Sequence, residues 1–339
     1  MEGRTLGGYA HQWLGELILK PRSIKRYESI VRTHILPELG AVEIGSVSRS
    51  TVKSFLARKL KANLSVSTVR YIATILRQIL NAAVDENLIE YNPVERVIRN
   101  MRLTRRARAE ALCRMRALTL EQLQSFIGQA KTKERYYYPF ATLAWTGMRL
   151  GELRALKPSD VDFPNLRIHI TKSVSSRSQL GTTKAGNPRA VDIPNVLADE
   201  LRAYLGSVRP ELARRWGVGS PPWLFFSKQG NPLNERQFEI VFKRIAEAAG
   251  LSQEHTPHDL RHTYASILLQ RGEPIQYVSM QLGHSSIALT NDVYGRWLRP
   301  HRSKGIEALA EQSSPRKHPC RIILFRKPPE NSKFAGGEG

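Results

Sequence analysis

Apolar residues recur every three or four positions along most of this chain, a spacing that predicts a mainly helical protein with one short interval of strand character. The clearest helix opens near Ser65. Val69, Ile72, Leu76, Ile79, Leu80 and Ala83 fall on one side of it, and the plain reading of that stripe is core. Three helices are predicted before it: one near Leu6 to Leu19, one following Pro21 and Ser23, and one opening at Ser48 with Val52, Phe55, Leu56 and Leu60 on one side. Residues 1–95 therefore read as a compact helical unit.

After Asn92 and Pro93 the periodicity breaks. The stretch from Arg96 to Arg116 carries Arg96, Arg99, Arg102, Arg105, Arg106, Arg108, Arg114 and Arg116, and residues 96–116 read as a basic linker between two domains. Charges of one sign at that density repel one another unless counter-charges lie nearby, which favours contact with a phosphate backbone over a merely solvated face. A second unit is expected over residues 117–305, opening at Thr119, where TLEQ forms a capping box. Helical signals dominate this unit except between Asn165 and Pro194. There LRIHI and RAVDIP alternate as short strands around GTTKAGNP, Gly181 to Pro188, a turn-forming stretch expected to project from a small antiparallel sheet with Lys184 at its tip. The fold class is thus mainly α, an α+β arrangement with a small antiparallel sheet. Residues 306–339 lack sustained periodicity and read as a disordered tail, in which Ile322 to Phe325 is either an added strand, a docking segment or a plain exposed apolar run.

Charge narrows the partner. Among 339 residues, 52 Lys and Arg stand against 30 Asp and Glu, a formal net charge of +22 that points to a polyanion, first of all double-stranded nucleic acid. An anionic membrane would call for a basic amphipathic anchor or an apolar run, and no stretch approaches the roughly 18 apolar residues of a spanning helix. Cys113 and Cys320 lie far apart without CxxC spacing, so neither a zinc finger nor a disulfide framework is indicated and a reducing cytosol fits. The opening MEGRTLGGYAHQWLGELILK lacks the pattern of a cleaved leader, and a cytoplasmic location is expected.

The segment from Thr256 to Tyr294 gathers His258, Arg261, His284 and Tyr294. Arginine offers a planar fork that matches phosphate oxygens, histidine a near-neutral proton donor or acceptor, and tyrosine an oxygen able to hold a covalent intermediate. Thr256 and Pro257 open a helix, so His258 and Arg261, three apart, project from one face near an amino terminus whose dipoles favour an anion. Taken singly, Arg261 reads equally as a surface salt-bridge partner and His258 as a polar residue near the cap. His255, His258 and His262 could be read as a metal cluster, but no carboxylate stands at a zinc-protease spacing. Tyr136, Tyr137 and Tyr138 read as core or helix-surface aromatics.

The string HDLRHT, followed by QLGHSS and a tyrosine ten positions after His284 (294 minus 284), resembles the carboxy-terminal signature of the tyrosine recombinases, especially phage-type integrases. Upstream, TGMRLGEL at Thr146 to Leu153 resembles the first arginine box of that family. The resemblance implies a helical core-binding domain followed by a mostly helical catalytic domain of the DNA breaking-rejoining type, closing around a duplex. It makes Tyr294 the nucleophile, Arg149 and Arg261 a phosphate clamp, His258 and His284 supporting proton-transfer and hydrogen-bonding groups, with His258 expected to help accept the tyrosine's proton, Lys184 a proton donor to the leaving oxygen, and Glu152 an orienting carboxylate. It implies cleavage and rejoining through a 3′-phosphotyrosyl bond without metal, ATP or other cofactor. The implied partners are DNA attachment sites, further copies of the chain in a homotetramer on paired sites, and accessory DNA-bending or directionality factors. The chain starts close to the core-binding unit, so an additional arm-binding domain is not expected. Two further readings share some of these residues: a type IB topoisomerase, and a sequence-specific DNA-binding regulator that has lost catalysis.

Overall fold

The computed structural model describes residues 4–19, 21–175, 180–182 and 188–295. Lys184 and everything after residue 295, including Ile322 to Phe325, lie outside the described residues. The first unit contains helices α1 (Leu6–Glu16), α2 (Pro21–Ile30), α3 (Leu36–Leu39), α4 (Arg49–Lys61) and α5 (Val66–Asp85), with a π-helical turn over Val31–Ile35 joining α2 to α3. Ser48 and Ser65 cap α4 and α5 by accepting from the backbone N–H of Thr51 and Thr68. The whole predicted stripe of α5 is withdrawn from water, packed with Leu6, Tyr9, Val31, Ile35, Phe55 and Leu56.

The arginine-rich stretch differs from expectation. Instead of an open linker it folds as α6 (Val94–Asn100) and α7 (Leu103–Arg114), which meet at Arg102 in the left-handed region at φ 52°. Four small or apolar side chains explain this, because Val94, Val97, Leu103 and Ala107 are buried at helical spacing, the first three within the first unit's core. Arg96, Arg99, Arg102, Arg105, Arg106 and Arg108 are all left exposed around them.

The second unit runs through α8 (Leu120–Ala130), α9 (Glu134–Thr146) and α10 (Leu150–Leu153), then strands β1 (Val161–Asp162), β2 (Arg167–Ile170), β3 (Lys172–Val174), β4 (Leu180–Thr182) and β5 (Arg189–Asp192). It continues with α11 (Asn195–Ala203), α12 (Arg209–Arg215), α13 (Glu235–Ala248), α14 (Pro257–Gln270), α15 (Ile275–Leu282) and α16 (Ile287–Tyr294). Thr119 and Gln122 make the expected capping box: the Thr119 hydroxyl accepts from Gln122 N–H at 3.2 Å and the Gln122 amide oxygen from Thr119 N–H at 2.9 Å. Strand β2 pairs antiparallel with β5 in the register Arg167 to Asp192 and Ile170 to Arg189, with β1 on its other edge. Gly181 and Thr182, read from sequence as part of a turn, sit instead in β4 and pair with β3. A ladder hydrogen-bonded to Lys172–Val174 outweighs the local turn preference of glycine.

The second core is organised by Phe126, Phe140, Phe238 and Phe242, whose rings approach one another at centroid separations of 4.3 to 5.9 Å. Tyr136 packs against this group, Tyr137 donates to Glu200, and Tyr138 packs on Tyr204. Helix α14 is tied to the entrance of the unit by Thr263, whose hydroxyl donates to Asp259 O at 2.7 Å and accepts from Leu118 N–H at 2.9 Å. Among the described residues, no helix is long and apolar enough to cross a membrane.

Helix α9 ends on Gly147 at φ +60°, where a Cβ would come within 2.5 Å of the Tyr264 ring. Gly147→Ala is therefore expected to combine left-handed strain of about 1–2 kcal/mol with an overpacking cost of about 1–3 kcal/mol. Urea unfolding of the variant measures the sum, and a loss of only about 1–2 kcal/mol would mean that the ring yields freely and the backbone strain alone remains.

Candidate active site

Arg149 stands just before α10 in extended backbone, φ −75° and ψ 147°, and Glu152 follows one turn later. The Arg149 N–H donates to Oε2 of Glu152 at 2.9 Å and its Nη1 to Oε1 at 3.0 Å, so one carboxylate fixes both the start of the helix and the direction of the guanidinium. Arg149 Nη2 reaches the carbonyl of Gly283 at 3.3 Å. Glu152 is 0% exposed. Burial by itself would raise its pKa, but hydrogen bonds and charge from Arg189, joined by Arg149, reverse the balance and hold the carboxyl below its ordinary value.

Arg189, at the start of β5, grips the same carboxylate from the other side, with Nη1 to Oε1 at 3.0 Å and Nη2 to Oε2 at 2.7 Å. Its Nε donates to the carbonyl of Gln281 at 3.0 Å. Gly283 closes α15 at φ +64°, and a Cβ there would lie 2.7 Å from Nη1 of Arg189. The missing side chain is what lets the guanidinium lie against the helix end.

Arg261 is 3% exposed, not a surface residue. Its fork is occupied by two helix-end carbonyls, Nη1 to Gly147 O and Nη2 to Leu282 O, each at 2.8 Å. Burial, and secondarily the charge of Arg149, lower its pKa to about 10, which still leaves it cationic at neutral pH. Three guanidinium groups, Arg149, Arg189 and Arg261, thus surround the single carboxylate of Glu152, and this cluster keeps an excess of two positive charges (three minus one). An arrangement with surplus positive charge in a low-dielectric setting is a receptor for an anion.

Tyr294 ends α16 with 1% exposure. Its hydroxyl shares a 2.9 Å hydrogen bond with Nδ1 of His262, and its ring lies nearly parallel to that of His284, 9° apart with centroids at 6.3 Å. Burial pushes the phenol up to about 12 despite the opposing pull of Arg261 and Arg149. His284, between α15 and α16, shares a hydrogen bond of 2.8 Å through Nδ1 with the Thr290 hydroxyl. Burial first, then Arg261, Arg149, Arg189 and His258, lower its pKa to about 4, so this imidazole is neutral at physiological pH.

His258 is exposed on the first turn of α14 and meets the His262 ring edge to face at 4.8 Å. The helix starts through Thr256 and Asp259, whose carboxylate accepts from Thr256 N–H at 2.8 Å. His255 faces that same carboxylate at 3.5 Å, so His255 and His262 turn to different partners, and among the described residues no group of three His, Cys, Asp or Glu converges as a metal site. Tyr277 donates to Asp192 at 3.0 Å and the Tyr264 ring covers Gly147, which occupies both of the other nearby tyrosines.

The fold therefore brings together Arg149, Glu152, Arg261, His284 and Tyr294 from three separate stretches of chain, with His258 at the edge. Two residues at the site received no catalytic role from the sequence. Arg189 carries no local signal beyond being a cation at a strand start. His262 had one, since it follows His258 at helical spacing, one turn along the same face. Of the six arginines expected on DNA, Arg108 pairs with Asp292 of α16, two residues before Tyr294.

A profile of the phage integrase family matches residues 114–298, more than half of the chain. A tyrosine recombinase XerC-like protein of Caldanaerobacter subterraneus is 26% identical over 327 residues, covering 90% of this chain and 82% of that protein. The ICEBs1 integrase of Bacillus subtilis is 28% identical over 295 residues, covering 85% and 77%. In three dimensions the chain resembles the Tn1549 transposon integrase in complex with transposon right end DNA, with a TM-score of 0.71 at 20% identity over 91% of this chain and 99% of that one, a likeness of fold. With the arginine box, the HDLRH helix and the tyrosine helix built around one anion-seeking pocket, the chain belongs to the phage integrase family, the tyrosine recombinases.

Proposed function

We propose that this protein is a site-specific DNA recombinase in which Tyr294 attacks a phosphodiester held by Arg149 and Arg261. The observation that carries this reading is the meeting of a buried tyrosine hydroxyl with two fixed guanidiniums whose charge one carboxylate only partly offsets. Attack builds negative charge on the nonbridging oxygens, and preorganised cations stabilise that charge more in the transition state than in the ground state. The Tyr294 oxygen bonds to phosphorus, the bond to the 5′ oxygen breaks, and a 3′-phosphotyrosyl link preserves the energy needed for rejoining. Glu152 keeps Arg149 aimed, neutral His284 donates a hydrogen bond to the phosphate, and Lys184 is assigned the proton for the departing oxygen on family resemblance alone. His258, exposed at a helix amino terminus, is assigned to the DNA side of the pocket.

Residues 1–95 form the proposed core-binding unit and residues 117–305 the catalytic domain, with the exposed arginines of α6 and α7 between them tracking the sugar-phosphate backbone. The partners proposed are double-stranded attachment sites and further copies of the chain in a tetramer on paired sites. A genomic or mobile-element DNA substrate places the reaction in the cytoplasm.

Three measurements test this reading. On a duplex taken from the protein's own flanking DNA and nicked beside the scissile phosphate, the parent is expected to form a covalent adduct without magnesium and Tyr294→Phe none; an adduct with the phenylalanine variant removes the nucleophile assignment. Arg149→Ala and Arg261→Lys are expected to slow single-turnover cleavage by about 100- to 1,000-fold with much of the duplex affinity retained, as for loss of one charge-stabilising donor. Finally, His284 has a folded pKa of about 4 against an ordinary 6.5, so the unfolded chain takes up the proton first as pH falls. Its contribution to stability is complete above pH 6.5 and lost towards pH 4, and His284→Gln should flatten the melting temperature across that window; an unchanged slope would show that His284 is not held neutral.

A further inference from the structure

We propose that His262 is a further catalytic residue, the group that takes the proton from Tyr294 as it attacks and returns it when the strand is rejoined. The proposal rests on Tyr294 being the nucleophile. Its geometric basis is direct: Nδ1 of His262 is 2.9 Å from the Tyr294 oxygen, within the 2.6–3.2 Å reach a general base requires. With its own proton on Nε2, the ring presents Nδ1 as an acceptor to the phenol.

The two other histidines are less suited to that task. His284 lies with its ring nearly parallel to that of Tyr294, its Nδ1 engaged with Thr290, and burial, then the arginine cluster, depresses its basicity. His258 is exposed and touches the ring of His262. It stands one turn earlier on the same helix face, placed to pass a proton on towards solvent. His262 is carried by α14 directly beside Arg261, so the residue that gathers charge on the phosphate and the residue that receives the proton are neighbours on one rigid helix.

The Tyr294 oxygen forms a bond to phosphorus while its proton passes to Nδ1 of His262; the bond from phosphorus to the 5′ oxygen breaks, and that oxygen is protonated by a separate donor. An unassisted phenol that titrates near 12 leaves a very small nucleophilic fraction at neutral pH, which is the barrier a positioned base lowers. In rejoining, the imidazolium returns its proton to the departing tyrosine oxygen.

The test is single-turnover cleavage of the nicked duplex by His262→Asn, whose amide places a polar atom near the position of Nδ1 but cannot accept the proton. A fall of about 100-fold or more is expected with DNA affinity and melting temperature unchanged. In His262→Ala, added imidazole is expected to recover part of the rate. Replacing the 5′ bridging oxygen with sulfur, whose thiolate leaves unprotonated with a thiol pKa of about 8.5, should leave the His262→Asn defect in place because the defect lies in activating the nucleophile. Parental rates in His262→Asn, or full recovery on the sulfur substrate, overturn the proposal. If Tyr294→Phe is inactive in the same assay, the nucleophile reading survives such a result; if Tyr294→Phe still forms the adduct, that reading fails first.

Discussion

A carboxylate sealed from water holds two arginines at once, and the rest of the pocket is arranged around it. Glu152 binds Arg149 through its backbone and its side chain, and binds Arg189 through both oxygens. Removing one member of such a buried set is costly, on the order of 3–5 kcal/mol, because the remaining charge loses its compensation. The carboxylate therefore acts on geometry more than on net stability: it dictates where the Arg149 guanidinium points and pins the start of β5 to α10, the short helix within the arginine box.

Arg261 is held by a different device. Its two hydrogen bonds go to the carbonyl of Gly147, the residue that closes α9, and to that of Leu282, the last of α15, groups that a helix end leaves without an intrahelical partner. Both helices close on glycine in the left-handed region, so the chain turns away sharply and the carbonyls remain available. The helix-terminal dipoles stabilise the guanidinium without cancelling its charge. That leaves Arg149 and Arg261 as an electropositive pair in a dry setting, whereas a second carboxylate would have neutralised the pair and with it the affinity for phosphate.

The tyrosine end of the pocket obeys the opposite logic. Tyr294 is buried in a small apolar group with Ala265, Leu269, Val278 and Leu282, where burial raises the phenol's pKa and keeps it protonated until a base is engaged. Helix α16 is short, and Asp292 on it pairs with Arg108 of α7, so the basic stretch and the helix bearing the hydroxyl are in electrostatic contact. Between exposed groups such a pair contributes little on its own. Its interest is that a phosphate backbone and Asp292 would draw on the same arginine.

Periodicity, caps and the strings TGMRLGEL, HDLRHT and QLGHSS with the tyrosine that follows were sufficient to read a helical protein, the stripe of α5, the capping box at Thr119, the β2–β5 pair and the candidate site residues, because each depends on neighbours within a few turns of chain. The helicity of the arginine-rich stretch was hidden. Its dense arginines mask Val94, Val97, Leu103 and Ala107, whose effect appears only once α5 is there to pack against them. The pairing of Gly181 and Thr182 with β3 was hidden for the same reason, since a strand partner is a non-local fact. Sequence alone determined the candidates for the reacting groups and the surplus positive charge that calls for a polyanion. Tertiary structure alone decided that Arg189 closes on Glu152 from 37 residues away and that His262, 32 residues from Tyr294, is the histidine touching its hydroxyl. Contacts at such separations follow from how helix ends and strand starts are packed, and no local spacing encodes that.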